Sequence, residues 1–280
     1  DGLQGSYKLL INSFYGYLGA PFPLNDYAAA QTVTEMGQEI VKAIADELER
    51  RGALVVEIDT DGVYFQPPAG IEGADAEEGF VAAVGETLPE GIRLAFDGRY
   101  AHMLSLKAKN YVLVAYDGKK TFKGSSLRSR ADERFGRRFL DQAVDLLLAE
   151  DRDGLAARYQ ELLGQIERRE LGIEQIARRE RVTEKTFSSE AKRRNREAVG
   201  DLKVGDYATL YQREDRSLAP ADAYAGDEDV EYYQTKLHRF AERLRAAVGD
   251  DFDTLFPRPL TGAKRKAAED ARQQMALFEL

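Results

Sequence analysis

Hydrophobic positions follow two different periods along the chain, which predicts helices combined with short strands. Apolar residues recur at helical spacing in three long segments, residues 2–18, 27–51 and 131–166. Runs rich in Val, Ile, Leu, Tyr and Phe predict strands at 54–65, 92–96 and 111–116. Residues 102–104 are expected to be helical or irregular. The pattern predicts an α+β fold, and 280 residues suffice for one large or two ordinary domains.

The segment 54–65 reads as a hairpin with acidic residues at its turn. Asp61 and Gly62 form the dipeptide that most readily closes a two-residue hairpin. Residues two apart in an extended chain point the same way, so Asp59 and Asp61 can present two carboxylates to one point. Such a pair suits Mg²⁺, which binds one or two carboxylates together with substrate phosphates. A plain surface turn explains the same residues.

Composition and charge narrow the chemistry. The chain has no Cys and two His, which excludes disulfides and Cys-ligated zinc and leaves oxygen atoms as the expected metal ligands. No apolar run reaches the length of a membrane span, so a cytoplasmic, nucleoid-associated protein without a membrane partner is expected. The net charge is −9, yet basic residues dominate between Lys107 and Arg138. The start at Asp1, without Met and inside a helical pattern, indicates a fragment.

One polar stripe on the first predicted helix carries a specific motif. Gln4, Lys8, Asn12 and Tyr15 recur every three or four residues and share a face, which a solvated helix would also show. Residues 8–16 resemble the K-x-x-x-N-S-x-Y-G motif in the fingers of family B DNA polymerases, here expected to be of bacterial type. The resemblance implies that Lys8 contacts the incoming triphosphate. It also implies that Asn12 and Tyr15 lie against the nascent base pair.

Two further motifs extend this resemblance. Asp59-Thr60-Asp61 is similar to the D-T-D motif of the family's palm, with Gly62 where Ser is usual. It implies that Asp61 and, in support, Asp59 are catalytic ligands of two Mg²⁺ or Mn²⁺ ions. Residues 107–111 resemble the K-x-Y element near the primer terminus, and Ser125 and Ser126 stand where Glu is expected after Lys-Gly. The DNA-binding residues implied are Lys107, Lys109, Tyr111, Lys123, Gly124, Arg128 and Arg130.

The resemblance also implies a domain order. The expected fold is a polymerase palm with an antiparallel sheet and packed helices, followed by a mostly helical thumb. Basic runs at 178–181 and 192–196 suggest a thumb that grips duplex DNA, although a solvated helix face fits them too. The predicted parts are a fingers helix at 1–20, a palm at 21–129, a thumb at 130–259 and a mobile tail at 260–280.

The tail carries a short peptide motif. Gln274, Leu277 and Phe278 have the Q-x-x-L-F spacing that resembles the sliding-clamp peptide of bacterial replication and repair proteins. A chance match is the alternative because the motif is short. Its position near a chain end favours a partner contact.

The resemblance predicts the C-terminal part of a DNA-directed DNA polymerase that adds deoxynucleotides to a primer 3′-hydroxyl with two metal ions. Its expected partners are primer-template DNA, deoxynucleoside triphosphates, the clamp and an upstream polymerase half. That half would carry the D-x-x-S-L-Y-P-S motif with the other palm Asp, so this chain alone is expected to be inactive. Two alternatives remain open: a non-catalytic, clamp-tethered DNA-binding remnant, and a haloacid-dehalogenase-like phosphatase with Asp59 as nucleophile and Asp61 as acid.

Overall fold

The structure, a computed structural model, describes residues 2–21, 25–124, 127, 129, 131–260 and 262. Internal packing divides the chain into two compact units, Asp1–Arg99 and Tyr100–Leu280. Both combine helices with small antiparallel sheets, so the predicted α+β class is confirmed. Among the described helices, none is both long and apolar enough to cross a membrane.

The first unit places a hairpin against one long helix. That helix is capped by the Asp26 carboxylate, which accepts a hydrogen bond from the Ala29 N–H at 2.9 Å. It ends before Gly52, whose φ of +86° belongs to the left-handed region that glycine tolerates. The elements of the unit are α1 Gly2–Leu18, α2 Tyr27–Arg50, β1 Leu54–Ile58, β2 Val63–Gln66 and α3 Ala74–Gly85.

The core of the first unit uses only the second half of α2. Ile44 and Leu48 are buried against the hairpin and against Val84 of α3. The first half of α2, which the sequence also predicted to pack, is exposed at Val33 (53%) and Met36 (57%). Most apolar residues of α1 are exposed as well, among them Leu3, Leu10 and Phe14.

The second unit begins with a three-stranded antiparallel sheet. Its strands are β3 His102–Lys107, β4 Asn110–Val114 and β5 Lys120–Lys123, in that spatial order. The prediction for 102–104 was wrong, because these residues pair with β4 through contacts such as Met103 with Leu113. The strand predicted at 92–96 was also wrong, since those residues are irregular and have no pairing partner among the described strands.

Helices and a second sheet complete this unit. Leu106, Val112 and Leu127 share one buried core with the aromatic side chains of the helices that follow. The unit boundary therefore falls inside the segment 21–129 predicted as palm. The remaining elements are α4 Arg134–Leu148, α5 Arg152–Glu167, α6 Ile173–Ile176, β6 Arg178–Arg181, α7 Glu184–Ser188, α8 Arg193–Val199, β7 Tyr207–Gln212, β8 Leu218–Pro220, α9 Val230–Glu242, α10 Arg245–Val248 and α11 Phe252–Leu255.

An ion pair between buried Asp132 and half-buried Arg243 joins the segment before α4 to the end of α9. Arg243 donates two hydrogen bonds to the Asp132 carboxylate, at 2.7 and 2.9 Å, and a third to the Leu127 carbonyl at 2.9 Å. Burial alone would raise the pKa of Asp132. The bidentate guanidinium and the Ser129 N–H together lower that pKa below its ordinary value. The ion pair therefore holds the start of α4 next to the end of α9.

Candidate nucleotide and nucleic-acid interface

The acidic turn of the first unit differs by one residue from the turn that the sequence predicted. Ile58 is paired with Val63, and the Asp59 N–H donates to the Gly62 carbonyl at 2.9 Å. Thr60 and Asp61 are therefore the central residues, instead of Asp61 and Gly62. Neither Asp61 nor Gly62 has positive φ. An extra residue at Val56 also shifts the register of β1 against β2 by one residue, which is a β-bulge.

The two carboxylates at this turn have different surroundings. Asp59 is half-buried, and its Oδ1 accepts the Thr60 N–H at 2.7 Å, which restricts its orientation. Asp61 is exposed. Within the described residues, no group of three or more acidic or imidazole side chains could hold a metal ion. Two carboxylates fit Mg²⁺ only when substrate oxygens or further protein ligands complete the octahedron.

Lys8, Asn12 and Tyr15 of the polar stripe are exposed on α1. The side chains of Lys8 and Asn12 make no hydrogen bond to the described residues, whereas the Tyr15 hydroxyl lies 2.9 Å from Thr34 Oγ1 on α2. The Thr34 hydroxyl donates its single proton to the Ala30 carbonyl at 3.0 Å, so Tyr15 must be the donor to Thr34. The oxygen of Tyr15 is then left to accept a hydrogen bond. Thr34 was missed by the sequence reasoning, and no motif pointed to it.

Three predicted DNA-binding lysines lie at the same end of the sheet that β3, β4 and β5 form. Lys107 ends β3, Lys109 lies in the two-residue turn to β4, and Lys123 ends β5. All three are exposed. Strand register places them at the same end of the sheet, because Lys107 pairs with Asn110 while Lys123 pairs with the next residue, Tyr111.

Tyr111 and Gly124 shape that end of the sheet. The Tyr111 side chain is 2% exposed, so it offers almost no surface to a nucleic acid and supports the turn from within. Gly124 has φ of +96°, and a Cβ at this position would lie 2.3 Å from both the Lys109 carbonyl oxygen and Asn110 Oδ1. Glycine is required there for steric reasons.

Five of the predicted site residues lie outside the described residues: Arg128, Arg130, Gln274, Leu277 and Phe278.

Strand geometry places the side chains of the basic run 178–181 on two opposite faces. It forms β6, so alternate side chains face opposite sides. Arg178 faces inward, where it pairs with Glu180 at 2.6 Å and donates to the Tyr232 hydroxyl at 2.7 Å. Arg179 and Arg181 face outward and are exposed. Arg178 and Glu180 are therefore part of the interior, whereas Arg179 and Arg181 are available to a ligand.

Comparison with known proteins defines the class of the chain. The family model described as DNA polymerase family B matches residues 1–217, which is 217 of the 280 residues. The chain belongs to this family.

Individual relatives and one solved structure are similar to this chain. DNA polymerase 1 of Pyrococcus abyssi is 35% identical over 137 residues, which cover 46% of this chain and 17% of the relative. The DNA polymerase of Thermococcus sp. strain 9oN-7 is 33% identical over 138 residues, with the same coverage. The family B DNA polymerase of the archaeon Pyrobaculum calidifontis has a similar fold, with a TM-score of 0.58 and 18% identity over 92% of this chain and 34% of its own.

The relatives qualify one prediction and set the scale of the match. They are archaeal polymerases, so they do not support the bacterial type expected from the sequence. The chain spans about a sixth of the length of the curated relatives that it matches, since the alignments cover 17% of each.

Proposed function

We propose that the chain is the C-terminal part of a DNA-directed DNA polymerase that adds deoxynucleotides to a primer 3′-hydroxyl. The observation that carries this proposal is the pair Asp59 and Asp61 at the tip of an antiparallel hairpin, in a chain of family B. The phosphatase alternative is disfavoured by the same hairpin, because its nucleophile motif ends a strand of a parallel sheet and β1 pairs only with antiparallel β2 among the described strands.

The carboxylates of Asp59 and Asp61 would hold the divalent cations, Mg²⁺ or Mn²⁺. When bound, such ions lower the pKa of an attacking hydroxyl and stabilise the charge that develops on a leaving pyrophosphate. The hydrogen bond from Thr60 keeps Asp59 in one orientation, while exposed Asp61 can approach substrate oxygens. We assign Asp61 the principal ligand role and Asp59 the supporting one.

The α1 stripe would bind the incoming nucleotide. The Lys8 ammonium is exposed and suits a triphosphate, and Asn12 one turn later can reach the base pair. Tyr15 is held by Thr34, so its ring has a defined position, and we assign it the contact with the nascent base pair. Lys8→Ala is therefore expected to weaken nucleotide use more than DNA binding.

The second unit would bind primer-template DNA by charge. Lys107, Lys109 and Lys123 supply three exposed ammonium groups at one end of the sheet, and backbone phosphates are the natural ligand of such groups. Counterion release makes this binding favourable despite the net charge of −9. The role of Tyr111 in this proposal is indirect, through the turn that it supports.

Two partners complete the proposal. An upstream polymerase half would supply the remaining palm carboxylate, because one pair of carboxylates leaves two cations under-ligated. The chain alone should bind DNA yet extend primers little. The tail residues Gln274, Leu277 and Phe278 would tether the enzyme to a sliding clamp.

The test is Asp61→Ala in the polymerase that includes the upstream half. Primer extension should fall by at least about 100-fold, the effect of losing one group that stabilises transition-state charge, while duplex affinity stays within about twofold. The matched control is Glu78→Ala, which removes an exposed carboxylate of α3 in the same unit. Equal extension by both variants would refute the assignment. A complete protein without extension activity would instead support the non-catalytic remnant.

A further inference from the structure

A buried histidine joins three parts of the second unit. His238 lies on α9, and its side chain is 7% exposed. Its ring packs edge-on against Phe252 of α11, with 5.9 Å between the ring centres. Its Nδ1 atom lies 3.3 Å from the hydroxyl of Tyr159 on α5, and that hydroxyl also donates a hydrogen bond to the Pro257 carbonyl at 3.2 Å. His238 therefore links α9 to α5 and to residues 252–257, which we name the C-terminal segment.

The hydrogen bonds of Tyr159 define which nitrogen of His238 carries a proton. Burial raises the pKa of Tyr159, so its hydroxyl keeps its single proton and donates it to the Pro257 carbonyl, which can only accept. Nδ1 of His238 must then be the donor to the Tyr159 oxygen. Nε2 has the free lone pair, so it is the atom that takes up a second proton. Glu242 Oε1 lies 3.7 Å from Nε2, beyond hydrogen-bond distance.

The C-terminal segment is an aromatic cover over these groups. Phe252 and Phe256 are 1% and 0% exposed, and their ring centres lie 5.2 Å apart. The Phe256 ring also packs edge-on against Tyr159, at 5.2 Å. The segment is short, since α11 has four residues, whereas α5 and α9 have 16 and 13. Separation of the segment from α5 and α9, which we name opening, therefore breaks fewer backbone hydrogen bonds than unfolding of either helix, and it would give water access to His238.

The surroundings of His238 favour its neutral form. Burial has the largest effect and lowers the pKa of the imidazole below its ordinary value of 6.5. Glu242 on α9 opposes this effect, but its carboxylate is 47% exposed and not within hydrogen-bond distance of Nε2. Arg258, which follows the segment, and Arg245 of α10 disfavour a positive charge, while Asp253 favours one and is itself bound to Arg245 at 3.3 Å. A second proton on His238 is therefore poorly compensated while the segment is closed.

We propose that His238 is an acid-sensitive contact that regulates attachment of the C-terminal segment: the neutral imidazole stabilises the closed segment, and protonation of Nε2 favours opening. An imidazolium exposed by opening is hydrated, whereas the same charge beneath Phe252 loses that hydration. Opening also breaks the hydrogen bond between Tyr159 and Pro257, so the chain that follows residue 257 is released from α5. This contact lies outside the residues assigned to nucleotide, metal or DNA binding, so it does not depend on the proposed polymerase activity.

The lowered pKa of His238 sets the direction of the pH dependence. The open segment takes up the second proton more readily than the closed one. The closed form is therefore fully favoured above about pH 6.5 and loses stability as the pH falls from there towards the pKa of the closed form. Uptake of one proton changes the opening equilibrium by at most about tenfold per pH unit.

Hydrogen exchange of the full chain, read by mass spectrometry, measures this opening. Protection of residues 252–256, corrected for the intrinsic effect of pH on exchange, should fall by about three- to tenfold from about pH 7.5 to about pH 5.5, while protection of α4 stays unchanged. Proton NMR follows the imidazole signals of the two histidines over the same range. Protection should cease to fall at the pH where His238 titrates, because below that pH the closed form is protonated as well.

Variants identify the titrating group. His238→Asn keeps a neutral amide N–H near the position of Nδ1 and removes the titration, so its corrected protection should be the same at both pH values. His102→Gln removes the exposed histidine of β3, assigns the NMR signals and should retain the wild-type pH dependence. Two exposed charges give changes of opposite sign and leave the buried contact intact: Glu242→Gln should enlarge the loss of protection, and Arg258→Gln should reduce it.

Three results would overturn the proposal. The first is corrected protection of residues 252–256 that stays constant while His238 titrates. The second is a wild-type loss of protection in folded His238→Asn, or, if that variant does not fold, a wild-type loss in both Glu242→Gln and Arg258→Gln. The third is an equal loss of protection in α4, because opening would then be unfolding of the whole unit.

Discussion

Gly136→Ala should destabilise the second unit, because this glycine lies where α4 crosses α9. A Cβ at Gly136 would lie 1.9 Å from Phe240 Cε2 and 2.2 Å from two further atoms of the ring. The Phe240 ring cannot retreat. It is 1% exposed, packs edge-on against Phe135 with centroids 5.8 Å apart, and lies beneath the Arg243 guanidinium.

The magnitude follows from the distance that must be recovered. Reaching the 3.4 Å of ordinary contact from 1.9 Å requires the helices to separate by about 1.5 Å. Overpacking of a close-packed core costs about 3 kcal/mol at the upper end of its usual range. Ala is favoured over Gly within a helix by about 1 kcal/mol, which offsets part of this cost. The net loss is about 2 kcal/mol, or roughly 4–8 °C in the melting temperature.

Thermal unfolding of the full chain, followed by circular dichroism, measures this loss. Gly164→Ala on α5 is the matched control, since its Cβ would meet only the end of the exposed Arg168 side chain. That variant should be neutral or slightly stabilised. Phe240→Leu in the Gly136→Ala background should recover part of the loss by removing the ring atoms nearest to Cβ. An unchanged melting temperature for Gly136→Ala would refute the reasoning.

Two further predictions concern α1 and the tail. In the complete polymerase, Thr34→Val should raise the KM for nucleotide by about three- to tenfold, the effect of about 1 kcal/mol from one hydrogen bond, and Thr34→Ser should restore it. The double variant with Tyr15→Phe should add nothing to the single variants, so additive effects would contradict a shared bond. A peptide of residues 272–280 should bind a sliding clamp with roughly micromolar Kd, about 8 kcal/mol. Replacing Leu277 and Phe278 by Ala should abolish that binding, and no binding by the natural peptide at high micromolar concentration would reject the tether.

Local sequence determined the elements whose signals lie within a few residues. The helical spacing in 2–18 and 27–51 predicted α1 and α2, and the Asp26 cap and Gly52 mark the limits of α2. The hairpin arms of β1 and β2 were also predictable, since they are β-prone runs around an acidic turn. The motifs that indicated family B are of the same kind, because each is a short run of fixed residue types.

Tertiary structure decided which side of each element faces the interior. The bulge at Val56 shifts the register of the hairpin by one residue, and a register change of one residue reverses the faces of a strand. Arg178 faces inward while Arg179 faces outward, a division that depends on β6 being a strand rather than a helix. A run of charges carries no periodicity of its own, so only the pairing of β6 with β7 could settle it.

The residues that the sequence motifs did not indicate also depend on tertiary packing. Thr34 meets Tyr15 across 19 positions, and His238 meets a tyrosine hydroxyl 79 positions away. Tyr111 is 2% exposed in the central strand of its sheet, although it alternates with Val112 and Val114, which are the β4 residues that pack in the helical core. Contacts between distant segments depend on how complete elements pack together. The residue types in each short stretch establish the elements, and packing alone brings their side chains into a site.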